Sequence, residues 1–264
     1  MTEREYRAHP AISRSDLWTL RQSPEKFKWE REHPSPPTPA LLLGQATHKL
    51  LLQPESFDEE FAVAPALDRR TAAGKAAWAE WAEAAEGKTI ITPDMMEHAR
   101  AMAGAVLDCD KAVKLLQGAK EQAYFWKETT TGEACKCRVD CLNTSLSSPV
   151  IIDFKTAADA STESFMRAAV SYGYDFQSGM YTDGAEANIG DRPRFVFIVV
   201  EKDPPYAVNI LQADELFVCH GIDVFRDLIG IYHDCKQADD WYGYLGKQNA
   251  INTLALPSWV ANSI

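Results

Sequence analysis

The sequence holds no Cys-x-x-Cys pair, no glycine-rich phosphate loop, no long apolar run and no excess of positive charge. Each lack closes off a class of function. The six cysteines, Cys109, Cys135, Cys137, Cys141, Cys219 and Cys235, never take the paired spacing of a zinc site, so no zinc is expected. Cys135, Cys137 and Cys141 recur at alternate positions of one segment, and reduced core thiols account for them better than a metal does. Neither standard phosphate loop occurs, and there are no internal repeats or low-complexity tracts. No apolar run approaches the roughly 20 residues of a membrane span. The opening MTEREYRAHP is charged and lacks an apolar signal core, which gives the expectation of a cytoplasmic protein with no membrane partner. Lys and Arg number 27 against 38 Asp and Glu, a formal net charge of −11, which argues against generic coating of nucleic acid. An enzyme that gathers its basic groups in one channel and uses bound cations is still compatible with that balance.

What is present centres on residues 121–155, which read as three successive strands. The first, residues 122–127, is aromatic-rich and ends in a Thr/Gly turn. The second, residues 133–142, alternates: Cys135, Cys137, Val139 and Cys141 on one face, Lys136, Arg138 and Asp140 on the other. The third, residues 150–156, sets Val150, Ile152 and Phe154 against Ile151, Asp153 and Lys155. A buried strand with two charged positions on one face needs a reason, because unpaired buried charge is costly. If the strands are neighbours, Asp140, Asp153 and Lys155 converge into a divalent-metal site with a basic group beside it.

The flanking chain reads mainly as helix. Residues 11–32 form two short helices, the first capped by Ser13 or Ser15 and the second opened by Pro24. A proline-rich connector over residues 33–39 leads to an apolar helix over residues 40–53 that carries His48. Gly44, one turn before His48, would be explained by close approach of another backbone. Taken alone, His48 reads better as a hydrogen-bonded core histidine than as a ligand. Residues 56–65 read as extended, and the basic stretch with Arg69, Arg70 and Lys75 is either a solvated surface or a contact to a DNA backbone. A helix over residues 72–86, a short strand over 88–92 and a long helix over 93–116 follow. After the strands come a helix over residues 161–188, with Gln177 and Tyr181 on one face, a buried strand over 194–202, its partner over 206–211, and a closing helix over 214–238.

That order resembles the PDDEXK nuclease superfamily, particularly its RecB-like branch: a helix with His, a strand with Glu, a strand with Asp, a strand with Asp-x-Lys, and a helix with Gln and Tyr. Individual stretches are similar to RecE-type exonucleases (exonuclease VIII). They are ISRSDLWTLRQSP, LGQATHKLLLQPESF, RRTAAGK, CKCRVD, IIDFKTAAD, YDFQSGMYTDG, FVFIVVEK and the terminal LPSW, which together cover almost the whole chain.

The resemblance implies an α/β fold with a restriction-endonuclease-like core, a central mixed β-sheet flanked by helices and an N-terminal helical region. It implies one nuclease domain over residues 1–264: a mainly helical part over 1–118, the catalytic sheet over 119–212, and a C-terminal helix and tail over 213–264. Carried over residue by residue, it makes His48, Asp140, Asp153 and the backbone carbonyl of Phe154 metal ligands, with Glu121 as a further carboxylate. Lys155 would orient or help deprotonate the attacking water, and Gln177 and Tyr181 would hold the scissile strand or the lysine. Arg138 could meet a phosphate, and Arg69, Arg70 and Lys75 could line the DNA entrance. Asp153 in place of the Glu of many superfamily members fits the RecB-like branch. Hard oxygen ligands with one imidazole suit Mg²⁺, with Mn²⁺ as a substitute. Some relatives hold an iron–sulfur cluster on four cysteines, one early and three late; the first cysteine here is Cys109, and no iron–sulfur cluster is expected.

The implied activity is a Mg²⁺-dependent exonuclease that digests double-stranded DNA ends 5′ to 3′. Its product would be 3′ single-stranded DNA for phage-type recombination, with a homo-oligomeric ring and a single-strand annealing protein as partners. The alternatives are a PDDEXK endonuclease of the restriction or junction-resolving kind, and a catalytically silent DNA-binding subunit of the same fold.

Overall fold

Capping side chains and prolines set where the helices begin. Thr38, Thr71 and Thr92 each accept a hydrogen bond from the backbone N–H three residues on, and Pro39 and Pro93 occupy first turns where no donor is needed. The computed structural model describes residues 1, 3–248 and 250–256. Its elements run α1 (Glu3–Ala8), α2 (Arg14–Gln22), α3 (Pro24–Glu32), α4 (Pro39–Leu52), α5 (Phe57–Glu60), β1 (Phe61–Val63), α6 (Ala72–Ala84), β2 (Thr89–Ile91), α7 (Pro93–Leu107) and α8 (Asp110–Leu115). Then come β3 (Ala119–Lys127), β4 (Ala134–Asn143), β5 (Val150–Ala157), α9 (Thr162–Ser171), α10 (Tyr174–Ile189), β6 (Arg194–Glu201), β7 (Val208–Gln212) and α11 (Glu215–Ala238). Among the described residues no helix is long and apolar enough to cross a membrane.

β3 to β7 form a five-stranded sheet in chain order, and β1 and β2 a separate parallel pair. β5 and β6 run parallel, with α9 and α10 as their crossover; the other neighbours are antiparallel. The sheet is mixed and buried on both faces. On one side Leu51 and Leu52 of α4 and Met102 and Val106 of α7 share a core with Ile152, Phe154, Ile198 and Val200. On the other, Phe165 of α9, Ala185 of α10 and Ile222 of α11 pack with Ile151, Phe195, Phe197 and Val199. Alternation along β5 therefore sends Phe154 toward α4 and the Ile151 face, with Asp153 and Lys155, toward α10.

Five expectations need correction. The helix expected over residues 93–116 breaks before α8, where Cys109 is extended (φ −92°, ψ 101°) within the Asp-Cys-Asp run, whose residues favour helix ends over interiors. The helix expected over 161–188 breaks at Gly173, whose φ of +66° ends α9; a Cβ there would lie 2.1 Å from the Trp18 ring. Only Phe61–Val63 of the expected extended segment is strand, because α5 precedes it. The cysteines of β4 do not share a face: Cys137 and Val139 pack toward α10, but Cys141 packs with the α4 and α7 cluster. Regular alternation lapses between them, at Asp140. The three thiols are nonetheless buried, and burial pushes Cys135 up to about 12, as inert core thiols require. Gly44 faces only the Thr156 side chain at ordinary contact distance, 3.7 Å from a notional Cβ, so no close backbone explains it. Of the terminal LPSW, all but its leucine lies outside the described residues.

Candidate metal centre

The lapse at Asp140 is a breach in the sheet. β3 and β4 pair Lys120 with Cys141 and Gln122 with Val139, which sets Glu121 opposite Asp140, but that pair itself is missing from the ladder. β4 and β5 pair Cys141 with Ile152, which sets Asp140 opposite Asp153, and there the ladder ends. Glu121, Asp140 and Asp153 thus occupy one row across three strands. Like charges directly opposite destabilise a regular sheet, and here the backbone gives way at that row. Glu121 takes a left-handed φ of +51°, unusual for a residue with a side chain.

α4 brings His48 over the breach. Its Nε2 lies 3.0 Å from Asp140 Oδ1 and 3.4 Å from Glu121 Oε1. One ligand atom from each of these three side chains falls within 4.8 Å of the others, a group that could hold a metal ion. Asp140 Oδ2 accepts a hydrogen bond from the Phe154 backbone N–H at 2.7 Å, in place of the lost ladder partner. The Phe154 ring stands 6.4 Å from the His48 ring on the same side of the sheet.

Asp153 has different company. Gln177 Nε2 donates to its Oδ1, and Lys155 Nζ pairs with its Oδ2. Lys155 also lies over the Tyr174 ring, 4.8 Å from its centroid. Tyr181, one helical turn after Gln177, is partly buried between the α10 core and the N-terminal helices.

The electrostatics follow from these partners. Burial alone would lower His48, but Asp140 and Glu121 outweigh it and hold the imidazole above its usual value. Burial would raise Asp140, but His48, Lys155 and the Phe154 N–H keep it below the ordinary carboxylate range. Asp153 is pushed up to about 6 by burial and by Asp140, against the opposing Lys155. For Lys155 the two carboxylates overcome burial and raise it, so it stays an ammonium. Burial, with Tyr6, Cys137, Asp153 and Asp140 nearby, holds the Tyr181 hydroxyl well above its usual value. Two facing carboxylates with opposite displacements are what coupled groups in a shared low-dielectric site produce.

The structure gathers His48, Glu121, Asp140, Asp153, Lys155 and Gln177 at one breach. The contact that Phe154 makes there is through its N–H. Arg138 pairs with Glu121, its Nε 2.7 Å from Oε2. Arg69, Arg70 and Lys75 lie at the exposed start of α6, where Arg70 pairs with Asp68 and Arg69 stacks on Trp78. Among the described residues no hydrogen bond or ion pair joins these three to the carboxylate row. Sequence reasoning missed Tyr174 as the aromatic face for Lys155. It also missed Arg14, whose guanidinium stacks on Trp18 and donates to the Tyr172 and Gly173 carbonyls at the α9–α10 break. Tyr174 sits three residues before Gln177, a spacing that puts both on one helical face and was the available signal.

The donor set fits a divalent cation. An imidazole and two carboxylates converge, a third carboxylate adjoins them, and the oxygen-rich composition suits a hard or borderline ion. A search of curated proteins returns no match. Among solved structures, the chain is similar to the crystal structure of a "Putative exonuclease" from Eubacterium rectale. The TM-score is 0.64 at 12% sequence identity, over 100% of this chain and 98% of that one, a likeness of fold. The crystal structure of SSO0001 aligns at TM-score 0.37 and 12% identity over 92% of this chain and 88% of its own, too distant to carry an argument. Residues 13–253 match the family described as a PDDEXK-like domain of unknown function, DUF3799, and this chain belongs to it.

Proposed function

We propose that this protein is a Mg²⁺-dependent exonuclease of RecE type. In this reading it digests double-stranded DNA from its ends, 5′ to 3′, and leaves a 3′ single strand. The observation that carries the reading is the row of Glu121, Asp140 and Asp153 at a breach in the sheet, with His48 on one side and Lys155 on the other. Phosphodiester hydrolysis needs a nucleophile in line with the P–O bond and charge stabilisation on the phosphoryl oxygens, which a bound divalent ion supplies. His48, Glu121 and Asp140 would hold that ion, with Asp153 and the Phe154 carbonyl beside it; Mn²⁺ would substitute for Mg²⁺. Lys155, kept as an ammonium by Asp153 and Asp140, would donate hydrogen bonds to the attacking water or to a phosphoryl oxygen. Gln177 fixes the Asp153 carboxylate, and Tyr181 on the same helical face would hold the scissile strand. Arg69, Arg70 and Lys75 would meet the DNA backbone before it reaches the site.

The choice of exonuclease over endonuclease rests on the likeness to RecE-type stretches and on a fold neighbour whose name is that of an exonuclease. The same resemblance supports a cytoplasmic homo-oligomeric ring and a single-strand annealing partner for the 3′ strand. Linear duplex labelled at either the 5′ or the 3′ end, beside a covalently closed circle, tests the reading with Mg²⁺ present. Early release of the 5′ label and an intact circle are expected. A nicked or linearised circle would instead identify an endonuclease, and early loss of the 3′ label would reverse the polarity.

A further inference from the structure

The environment of Arg138 assigns it a task other than meeting DNA. Its Nε lies 2.7 Å from Glu121 Oε2, its guanidinium carbon is 5.2 Å from the centroid of the Tyr6 ring, and its side chain is only 23% exposed. Tyr6 belongs to α1, six residues long and too short to be stable alone. What seats α1 is Lys136, buried in β4 two residues before Arg138. The Lys136 ammonium donates to the carbonyls of Tyr6 and His9 at 2.7 Å each, with that of Arg7 at 3.5 Å. These carbonyls lie at or just past the C-terminal end of α1, where a cation is favourable. The rings of Tyr6 and His9 also pack on Phe125, with centroids 6.3 and 4.4 Å away. Lys136 and Arg138, alternate residues of one strand, thus hold the same helix, one by its last carbonyls and the other by the Tyr6 ring.

At the far end of this chain of contacts is Glu121, the residue with a left-handed backbone. Such a conformation persists only where its surroundings over-determine it. A planar guanidinium against the carboxylate is a directional restraint of that kind. It leaves Oε1 of the same carboxylate turned toward His48, 3.4 Å away. We propose that Arg138 and Tyr6 are positioning residues: α1 sets Arg138, and Arg138 sets the Glu121 carboxylate for the ion held with His48 and Asp140. The inference rests on reading the site as a metal centre, and it links α1 to that site through Tyr6. A guanidinium committed to a nearly buried carboxylate could serve a phosphate only by abandoning it.

Calorimetric titration of the full chain with Mn²⁺, without DNA, tests this separately from activity. Arg138→Ala and Tyr6→Ala are expected to weaken Mn²⁺ binding about tenfold, the lower end of what an outer partner of a ligand contributes. Tyr6→Phe keeps the ring and is expected to bind as the wild type does. The Arg138→Ala effect is expected to vanish in a Glu121→Gln background, since the guanidinium acts through that carboxylate. Equal loss in both backgrounds overturns the proposal, because Arg138 then acts otherwise than through Glu121. Unchanged Mn²⁺ affinity in Arg138→Ala, with a raised and salt-dependent KM for DNA, also overturns it and returns Arg138 to a phosphate role. If circular dichroism shows Arg138→Ala unfolded, Arg138→Lys carries the measurement, with weakened Mn²⁺ binding expected and wild-type binding fatal to the proposal. Wild-type protein that binds no Mn²⁺ removes the metal-centre reading itself, whereas tight wild-type binding with an unaffected Arg138→Ala removes this inference alone.

Discussion

Asp140 and Asp153 stand opposite each other on adjacent strands, and the ladder joining those strands ends one pair away, at Cys141 and Ile152. In an unbroken ladder the two carboxylates would share one environment and repel. The opening gives each its own partners: His48 and the Phe154 N–H for Asp140, Gln177 and Lys155 for Asp153. In the proposed function, that opening is where a cation and a phosphate would meet.

If the breach is a metal site, an ion that binds only the folded chain must stabilise it. At a hundred times its Kd the gain is about 2.7 kcal/mol. Mn²⁺ is therefore expected to raise the Tm of the wild type, and His48→Ala and Asp140→Asn to lose most of that rise. Thermal unfolding with Mn²⁺ and with EDTA gives the comparison. An undiminished rise in both variants would place the ion elsewhere.

Lys155 and Gln177 are expected to separate chemistry from metal binding. In the proposed function Lys155→Ala removes the ammonium that would stand beside the reacting phosphate, and it should lower the single-turnover rate by about 10² to 10⁴, the range for a positioned proton donor. The Mn²⁺-induced rise in Tm should survive, because Lys155 is not in the ligand group. Gln177→Ala releases Asp153 Oδ1, and a loss of about 10- to 100-fold is expected, as for other partners that orient a reacting carboxylate.

The acidic strand positions, the helix with His48 and the Gln177–Tyr181 face were legible because each follows from a period of two or of 3.6. The pairing of β6 with β7 was legible too, since a short turn joins them, whereas the parallel placement of β5 beside β6 was not. What the pattern could not show is where it fails. Strict alternation put Cys141 with Cys137, and only the missing pair at Glu121 and Asp140 explains why it lies on the other face. Gly173 lay inside an otherwise helical stretch, and the break there depends on Trp18 filling the space of a Cβ, a contact between residues far apart in sequence. Arg138 was read as facing DNA because a cation next to an acidic site suggests a phosphate. Its actual neighbours, Glu121 and Tyr6, come from a strand residue with an unusual φ and from a helix only six residues long.

Away from the site, Glu133 ties β4 to α11. It accepts from His233 Nδ1 at 2.9 Å and from Lys236 Nζ at 2.7 Å. Burial would raise its carboxyl, but Lys236 and His233 outweigh that and lower it. A carboxylate whose pKa falls on folding adds stability above its unfolded value of 4.5, and that stability is lost as pH falls through the lower folded value. Glu133→Gln is therefore expected to cost about 1–2 kcal/mol near neutral pH, discounted because Lys236 is half exposed. The gap between variant and wild type should close in the acid range below 4.5. Urea unfolding across pH reads it directly. A difference that widens on acidification would contradict the sign.

The helix that carries Gln177 is set by its crossing with α11, and two glycines make the crossing possible. A Cβ on Gly221 would fall 1.9 Å from the Asp175 carbonyl oxygen, and one on Gly179 would fall 2.3 Å from the Gly221 carbonyl carbon. Both obstacles are backbone, which cannot swing aside as a side chain can, so Gly221→Ala must push α10 and α11 apart. The expected loss is about 1–3 kcal/mol, typical of overpacking a tight interior. Gly230 lies further along the same helix with nothing within 4 Å of a notional Cβ. There the same substitution reduces only the freedom of the unfolded chain, and a gain of about 0.4–1 kcal/mol is expected. Because displacing α10 moves Gln177 away from Asp153, Gly221→Ala should also slow cleavage at temperatures where it remains folded, and Gly230→Ala should not. Urea unfolding paired with single-turnover rates distinguishes a crossing that positions the site from one that only holds the fold: a destabilised Gly221→Ala with a wild-type rate would mean that Gln177 keeps its place independently of α11.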